Sequence, residues 1–259
     1  MFAGSSPTSG TMNSFANPWQ VPVQGTIQDL EHLALHFTAL PRMVRRDEAG
    51  SGFLYESDSF ARCNTSEQVL DAAIWELSVL SGVIRHVRGS HQPLLCAGVY
   101  RRNAAGGRDA FLRVHDAHHT HIAGEVALIG MNVNGNAVIN QTPPPRTVAL
   151  ANLAFSEPAV EKALRLASQV ESQSWVGLYR LYELIEADIG GQAQLTSRGW
   201  STAPALKRFK HSANSVAVAG DASRHGKETG APPRQPLSIA EATAYVRDIM
   251  EAWLAYKGA

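Results

Sequence analysis

The stretch SEQVLDAAIWELSVLSGVIRHV, residues 66–87, is the clearest single element of the chain. Ser66 can cap a helix at its start, and Gly89 followed by Pro93 can end it. Apolar residues recur along one stripe at helical spacing, namely Val69, Ala73, Leu77, Leu80 and Ile84. The pattern predicts one long amphipathic helix.

Strand signals follow this helix up to a proline run. PLLCAGVYRR at 93–102 and AFLRVHDAHHTHI at 110–122 flank a Gly106-Gly107 turn, and Asn134-Gly135 joins EVALIGMNV to AVINQ. Asn-Gly between apolar runs is a strong hairpin signal. These segments predict a β-rich region that ends near Pro143–Pro145.

The segment before the long helix is harder to assign. Residues 1 to about 25 are rich in Ser, Gly, Pro, Thr and Asn, which predicts a flexible tail whose aromatic end can pack on the body. Residues 26–40 fit a helix, since Thr26 and Asp29 have capping-box spacing. A strand that ends at Pro41 fits nearly as well, so both alternatives stay open.

After residue 150 the pattern becomes helical. Ser156, Ser174 and Ser201 each precede an amphipathic stretch, and Gly190-Gly191 can end the second of these. Ser238 and Glu241 form a capping box before the last helix. The predicted fold class is α+β, with a flexible tail at 1–25, a mixed β domain with one long helix at 26–150, and a helical bundle at 151–259.

Composition limits the classes of function. The 259 residues include 23 basic and 23 acidic side chains, so the net charge is +0 and a strongly basic polyanion-binding surface is not expected. No apolar run is long enough to cross a bilayer, and the first residues lack the pattern of a secretory signal. With Cys63 and Cys96 far apart, the expectation is a reduced, cytoplasmic protein without a membrane segment.

The densest group of metal-binding side chains lies in VHDAHHTH, residues 114–121. If this stretch is a strand, His115, His119 and His121 share one face. Three imidazoles that converge on one point could hold zinc. The alternative is a solvated hairpin edge without a cofactor.

A second candidate site lies in LKRFKHSANSVAVAGDASRHGKE, residues 206–228. Between Arg198 and Arg234 there are seven Lys or Arg residues and two acidic ones, a local excess of positive charge that attracts phosphates. His225 with Arg224 could supply an acid or base and a phosphate-binding group, with Asn214 and His211 in support. The alternative is a tightly turned structural loop.

The last hundred residues combine an acidic helix, YRLYELIEADIGG at 179–191, with the basic stretch, the Arg-His loop and the capped terminal helix. This layout resembles the HEPN-type helical domains of bacterial defence and toxin proteins. The resemblance implies a small, often dimeric bundle that binds or cleaves RNA without metal, through an arginine followed several residues later by a histidine. Arg208 and His211 are closer than that, and Arg224 and His225 are adjacent. The stretch also resembles MauJ, an uncharacterised bacterial family associated with methylamine utilisation.

Two classes of function therefore stand as expectations. The first is an RNA- or nucleotide-handling protein of HEPN type, which includes metal-independent ribonucleases. The second is a non-catalytic binding or assembly module that forms a homodimer through the helical half. Aromatic residues at helical spacing are expected to be core or interface anchors, namely Trp175, Tyr179, Tyr182 and Trp253. Arginines between Arg85 and Arg113, beside Tyr100 and Phe111, could form a platform for a polyanion. The alternative, which exposed arginines at turns favour, is a solvated hairpin rim.

Overall fold

The protein is described here by a computed structural model. It describes residues 17–48, 50, 52–96, 98–112, 145–223, 227, 231 and 233–258. These residues form strands and helices in the α+β arrangement that the sequence predicts. In this part of the chain no helix combines the length and apolarity that a bilayer crossing requires.

The chain divides into two compact units. The strand unit contains the described residues within 17–24, 30–75 and 95–112, and the helical unit contains those within 25–29, 76–94 and 145–258. The helical unit therefore takes in residues 76–94 in addition to the C-terminal part that the sequence assigned to the bundle.

One antiparallel sheet forms the strand unit. Its strands are β1 (Trp19–Gln24), β2 (Thr38–Ala39), β3 (Arg42–Arg46), β4 (Phe53–Ser57), β5 (Leu95–Cys96), β6 (Val99–Arg102) and β7 (Arg108–Phe111). The strand order is β2-β3-β4-β1-β6-β7, and β5 pairs with β1 beside β6. Gly106 has a positive φ of 82° in the turn between β6 and β7, which is the turn that Gly106-Gly107 predicts.

Residues 19–24, which the sequence assigned to the flexible tail, form strand β1. This strand pairs with β4 on one side, with Val21 opposite Tyr55, and with β6 on the other, with Gln20 opposite Tyr100. Trp19 is buried, so the aromatic end of the segment packs on the body. The sequence did not indicate this strand, because Pro22 lies within it and residues rich in Ser and Gly precede it.

The two faces of the sheet differ in chemistry. One face is apolar and buried, with Val21, Val44 and Tyr55, and the Tyr55 ring lies 5.8 Å from that of Phe60 in a T-shaped contact. Alternation along the strands places polar side chains on the other face. This polar face carries Gln20, Arg45, Glu56, Tyr100, Arg102 and Arg108.

The helices, with three exceptions, match the sequence patterns. They are α1 (Ile27–His36), α2 (Ser66–Arg88), α3 (Arg146–Ser156), α4 (Pro158–Ser168), α5 (Trp175–Asp188), α6 (Gln192–Ser197), α7 (Ala203–Asn214), α8 (Val216–Ala219) and α9 (Ile239–Lys257). The sequence did not predict α3, α6 or α8. Thr26 and Asp29 start α1, which settles the open alternative in favour of a helix. The α2 cap is Thr65, whose hydroxyl accepts from the Gln68 N–H, and not Ser66.

A glycine sets the separation of α2 and α4 in the helical unit. A Cβ built on Gly82 would lie 2.1 Å from the main-chain oxygen of Leu164. That distance is far inside van der Waals contact, and backbone atoms cannot move aside as a flexible side chain can. The two helices can therefore approach this closely only with glycine at position 82.

We expect Gly82→Ala to lower the free energy of unfolding by about 3 kcal/mol, because the cost of overpacking exceeds the gain of about 1 kcal/mol in helix propensity. Urea unfolding followed by circular dichroism measures this change. Gly52→Ala is the control, since a Cβ there meets nothing within 4 Å, and its stability should stay within about 0.5 kcal/mol of the wild type. A Gly82→Ala protein as stable as the wild type would contradict the close approach.

Candidate functional site

Only two of the four predicted catalytic residues lie among the described residues. His211 and Asn214 are on the last turn of α7, while Arg224 and His225 lie outside the described residues. The zinc candidates His115, His119 and His121 also lie outside them, so that site stays a prediction. The described residues contain no group of three or more His, Cys, Asp or Glu side chains that could hold a metal ion.

The α7 helix is built as the sequence pattern requires. The Thr202 hydroxyl accepts from the Ala205 N–H at its start, and Leu206, Phe209 and Ala213 are buried on one side. Phe209 stacks on Tyr179, with ring centroids 5.8 Å apart. This buried side fixes which residues of the basic stretch face outward.

Several cations of the predicted basic patch are already engaged within the helical unit. The Arg208 guanidinium donates to the carbonyl oxygens of Gln235 at 2.7 Å and Pro236 at 3.2 Å. Lys210 Nζ lies 3.2 Å from the carboxylate of Glu186. Counting charges along the sequence therefore overstates the positive charge that this helix offers to a ligand.

The two described candidates on α7 have different surroundings. His211 Nε2 donates to the main-chain oxygen of Ala231 at 2.9 Å, which ties the helix to the following loop. The Asn214 side-chain oxygen is buried and accepts no hydrogen bond from any described residue. His211 thus links α7 to the following loop, and the catalytic role of His211 and Asn214 stays a prediction.

A different histidine and arginine meet elsewhere in the helical unit. His86 Nε2 lies 2.9 Å from Glu251 Oε2, and Arg146 Nη2 lies 3.4 Å from the same nitrogen. Arg146 also donates to both carboxylate oxygens of Glu251, at 2.6 Å to Oε1. We call these three residues the His86 cluster.

Each member of the His86 cluster comes from a different helix. His86 lies in the last turn of α2, Arg146 is the first residue of α3, and Glu251 lies on α9. Their separations of up to 165 residues leave no local motif, which is why sequence reasoning missed them. The only signal was a basic residue at a helix end, which is too common to indicate a site.

The His86 cluster is half open to solvent. The His86 side chain is only 6% exposed, whereas those of Arg146 and Glu251 are 51% and 41% exposed. Burial alone would raise the pKa of Glu251, but hydrogen bonds from Arg146 and His86 outweigh it and hold that pKa below its usual value. The carboxylate is therefore ionised and positions both partners.

The end of α9 is anchored by a second polar group. The Trp253 indole N–H donates to Asp188 of α5 at 2.9 Å, and Lys257 lies 3.1 Å from the same carboxylate. The hydrogen bond to Asp188 raises the pKa of Lys257, so this ammonium stays charged. These contacts fix the part of α9 that follows Glu251.

The aromatic anchors are packed in the core, and Cys96 is not a reactive thiol. Trp175, Tyr179, Tyr182 and Trp253 are all buried in the core of the helical unit. Burial raises the pKa of the Cys96 thiol to about 12, which keeps it protonated and unreactive near neutral pH.

Comparison with known proteins adds no assignment to this geometry. No protein-family model, curated protein or solved structure matches the chain. The resemblance to HEPN-type domains and to MauJ therefore stays a prediction, and the site must be judged from its own residues.

Proposed function

We propose that this is an RNA- or nucleotide-handling protein of HEPN type, in which the His86 cluster binds a phosphate group and moves a proton. One observation carries the proposal: Arg146 and His86 both bind the Glu251 carboxylate, at a position that is half exposed to solvent. Metal-independent phosphodiester cleavage can use an arginine to neutralise charge and a histidine to transfer the proton.

The exposed member of the cluster is the phosphate-binding group. A phosphate oxygen is anionic and accepts hydrogen bonds, as the Glu251 carboxylate does. A phosphate can therefore replace that carboxylate on Arg146. The bound phosphate then lies beside His86 Nε2, since the arginine nitrogen is 3.4 Å from that atom. When Glu251 leaves Arg146, it also gives up its contact with His86 Nε2, which frees that N–H for the leaving oxygen.

In RNA cleavage by this arrangement, His86 acts as the general acid. The 2′-hydroxyl oxygen attacks phosphorus and loses its proton to water, and the bond from phosphorus to the 5′-oxygen breaks. The imidazolium Nε2 proton passes to that leaving oxygen, and Arg146 neutralises the charge that develops on the phosphoryl oxygens. His86 regains its proton from solvent.

The alternative is a homodimeric assembly module. The anchors expected for its interface, Trp175, Tyr179, Tyr182 and Trp253, are at most 6% exposed in a single chain. A dimer through the helical half would therefore need other residues. The nucleotide proposal rests on a specific set of contacts and is preferred for that reason.

We expect Arg146→Gln to lower kcat/KM for a single-stranded RNA about 100-fold, the usual cost of losing one donor to a developing anion. The assay follows cleavage of a 5′-fluorescent RNA in the presence of EDTA. His86→Gln should lower the rate at least as much by removing the acid. Arg180→Gln is the control, because Arg180 is an exposed arginine on α5 outside the cluster, and it should behave as the wild type.

Two results would contradict this proposal. A wild-type protein that neither cleaves nor retains RNA would remove the function. RNA cleavage that survives in Arg146→Gln would remove the site and place the activity elsewhere in the chain. Arg146 is half exposed, so its replacement should leave the melting temperature nearly unchanged and the comparison valid.

The ion pairing of Glu251 also predicts a pH dependence of stability. Its pKa is lower in the folded protein than its ordinary value of 4.5, so its contribution is present above pH 4.5 and is lost as the pH falls through the folded pKa. Glu251→Gln should lower the free energy of unfolding by less than about 1 kcal/mol at pH 7, since solvent screens the pair, and by less near pH 3, which lies below the ordinary pKa.

Asp248→Asn is the matched control for this measurement, because Asp248 is a 71% exposed carboxylate on the same helix. Its effect should be small and independent of pH. Equal losses for Glu251→Gln at both pH values would show that the carboxylate is not held ionised by its neighbours.

A further inference from the structure

We propose that a groove beside the His86 cluster binds a second nucleotide of the substrate, so that the substrate is an RNA strand and not a free nucleotide. This inference rests on the proposed function and extends the same site. The groove lies in the helical unit and has a volume of about 370 Å³, which suits one small ligand unit. It is lined by residues of α9 and by the last residue of the 3₁₀ turn Val170–Gln173, namely Gln173, Ile239, Ala240, Thr243, Ala244 and Arg247.

The groove continues into the His86 cluster along α9. Arg247 and Glu251 are four residues apart on this helix, so they lie on one face with about 6 Å between them along the helix axis. Arg146 meets α9 at Glu251, where its Nη2 donates to the carboxylate at 2.6 Å. A strand with one phosphate on Arg146 can therefore place its next phosphate at Arg247.

A second connection joins the end of α2 to the other side of the groove. Arg85 precedes His86 in the chain, and its guanidinium donates to the main-chain oxygen of Gln169 at 3.3 Å. Gln169 is the N-terminal cap of the turn that ends at Gln173. This contact ties the Gln173 side of the groove to the helix that carries the proposed general acid.

Arg247 is the cation that the groove offers to a phosphate. Its side chain is 67% exposed, and its ion-pair partner within the described part of the chain is the adjacent Asp248, 3.5 Å away and itself 71% exposed. Solvent screens so open a pair, which makes it weak. A phosphate can displace Asp248 at little cost, whereas Arg208 is held by two carbonyl oxygens.

The remaining lining residues suit a nucleobase. Ala240 and Ala244 are one turn apart on α9, and their small side chains leave room for a flat group against an apolar floor to which Ile239 adds surface. Gln173 is exposed, and its amide makes no hydrogen bond with another described residue. An amide has both a donor and an acceptor, which match the hydrogen-bonding edge of an unpaired base.

The separation of the two arginines distinguishes a strand from a free nucleotide. AMP carries its phosphate charge at one end, so it can engage Arg146 or Arg247 but not both. A strand carries a phosphate at every nucleotide and can engage both arginines at once. Since the second contact then forms within one complex, it adds to the affinity.

The first test separates binding in the groove from chemistry at the cluster. We expect Arg247→Gln to raise KM for the single-stranded RNA about tenfold and to leave kcat within about twofold, because it removes a contact made equally in the ground and transition states. It should also lower the slope of log affinity against log salt by about 0.7. Arg180→Gln is the control and should change neither KM nor the slope.

The second test fills the groove without changing charge. Ala240→Leu places a larger side chain in it, and leucine is a good helix former, so the melting temperature should stay nearly unchanged. Calorimetry measures binding of a tetranucleotide whose 2′-O-methyl groups prevent cleavage. Wild type should bind it about tenfold more tightly than AMP, and Ala240→Leu should remove most of that difference. Ala193→Leu, at an exposed alanine of α6 outside the groove, is the matched control.

The outcomes separate this inference from the proposed function. RNA cleavage that is lost in Arg146→Gln but unchanged in Arg247→Gln and Ala240→Leu would overturn the groove and keep the function. Wild type that binds the tetranucleotide no more tightly than AMP would also overturn the groove, as would equal losses in Arg180→Gln and Arg247→Gln. Wild type that binds the tetranucleotide through Arg247 and Ala240 but cleaves no RNA would keep the groove and reject the catalytic role of the His86 cluster.

Discussion

A carboxylate that is removed from water needs hydrogen-bond donors, and this requirement determines where charged residues lie in both units. A buried carboxylate without partners is strongly destabilising, so its position requires donors from other elements to meet it. In the strand unit, Glu56 gathers donors from three other strands. In the helical unit, the buried Asp29 accepts from Arg88 at 3.1 Å and from Ser90 at 2.5 Å, and Glu251, although 41% exposed, likewise binds His86 and Arg146. These carboxylates decide where many cations lie in a chain whose net charge is zero.

This arrangement changes how an anionic ligand would bind. A ligand does not meet a field of free positive charge, since Arg208 and Lys210 are already held by carbonyl and carboxylate oxygens. It must instead compete with a carboxylate for a guanidinium that is already oriented. Such competition lowers affinity, but the orienting carboxylate spares the ligand part of the entropy cost of fixing the arginine. Sites of this kind favour ligands whose anion matches the geometry over polyanions in general.

The sequence predicted the helices better than the strands, for a physical reason. Serine and threonine caps, glycine stops and apolar stripes define α5, α7 and α9 locally, and the capping box of α9 forms as predicted. Strands β1, β3 and β4 are short, and the arginines of β3 and the proline of β1 hide their alternation. The sites were also hard to predict. Residues such as His86 and Glu251 come together only through tertiary packing, so their positions in the sequence form no recognisable motif. Strand register, which places Arg45 and Arg102 on one face, is likewise unavailable before the pairing is known.

The arginine and histidine of the His86 cluster also differ in origin from a motif carried on one helix. On a single helix, the spacing along the chain sets the geometry of the two side chains. In the His86 cluster, that geometry depends on the relative positions of α2, α3 and α9. The Gly82 approach fixes α2 against α4, the capping box fixes the start of α9, and Trp253 and Lys257 fix its end on Asp188. Phosphate chemistry tolerates little error in position, so these anchors, and not the spacing of Arg and His in the sequence, decide whether the cluster can act on a ligand.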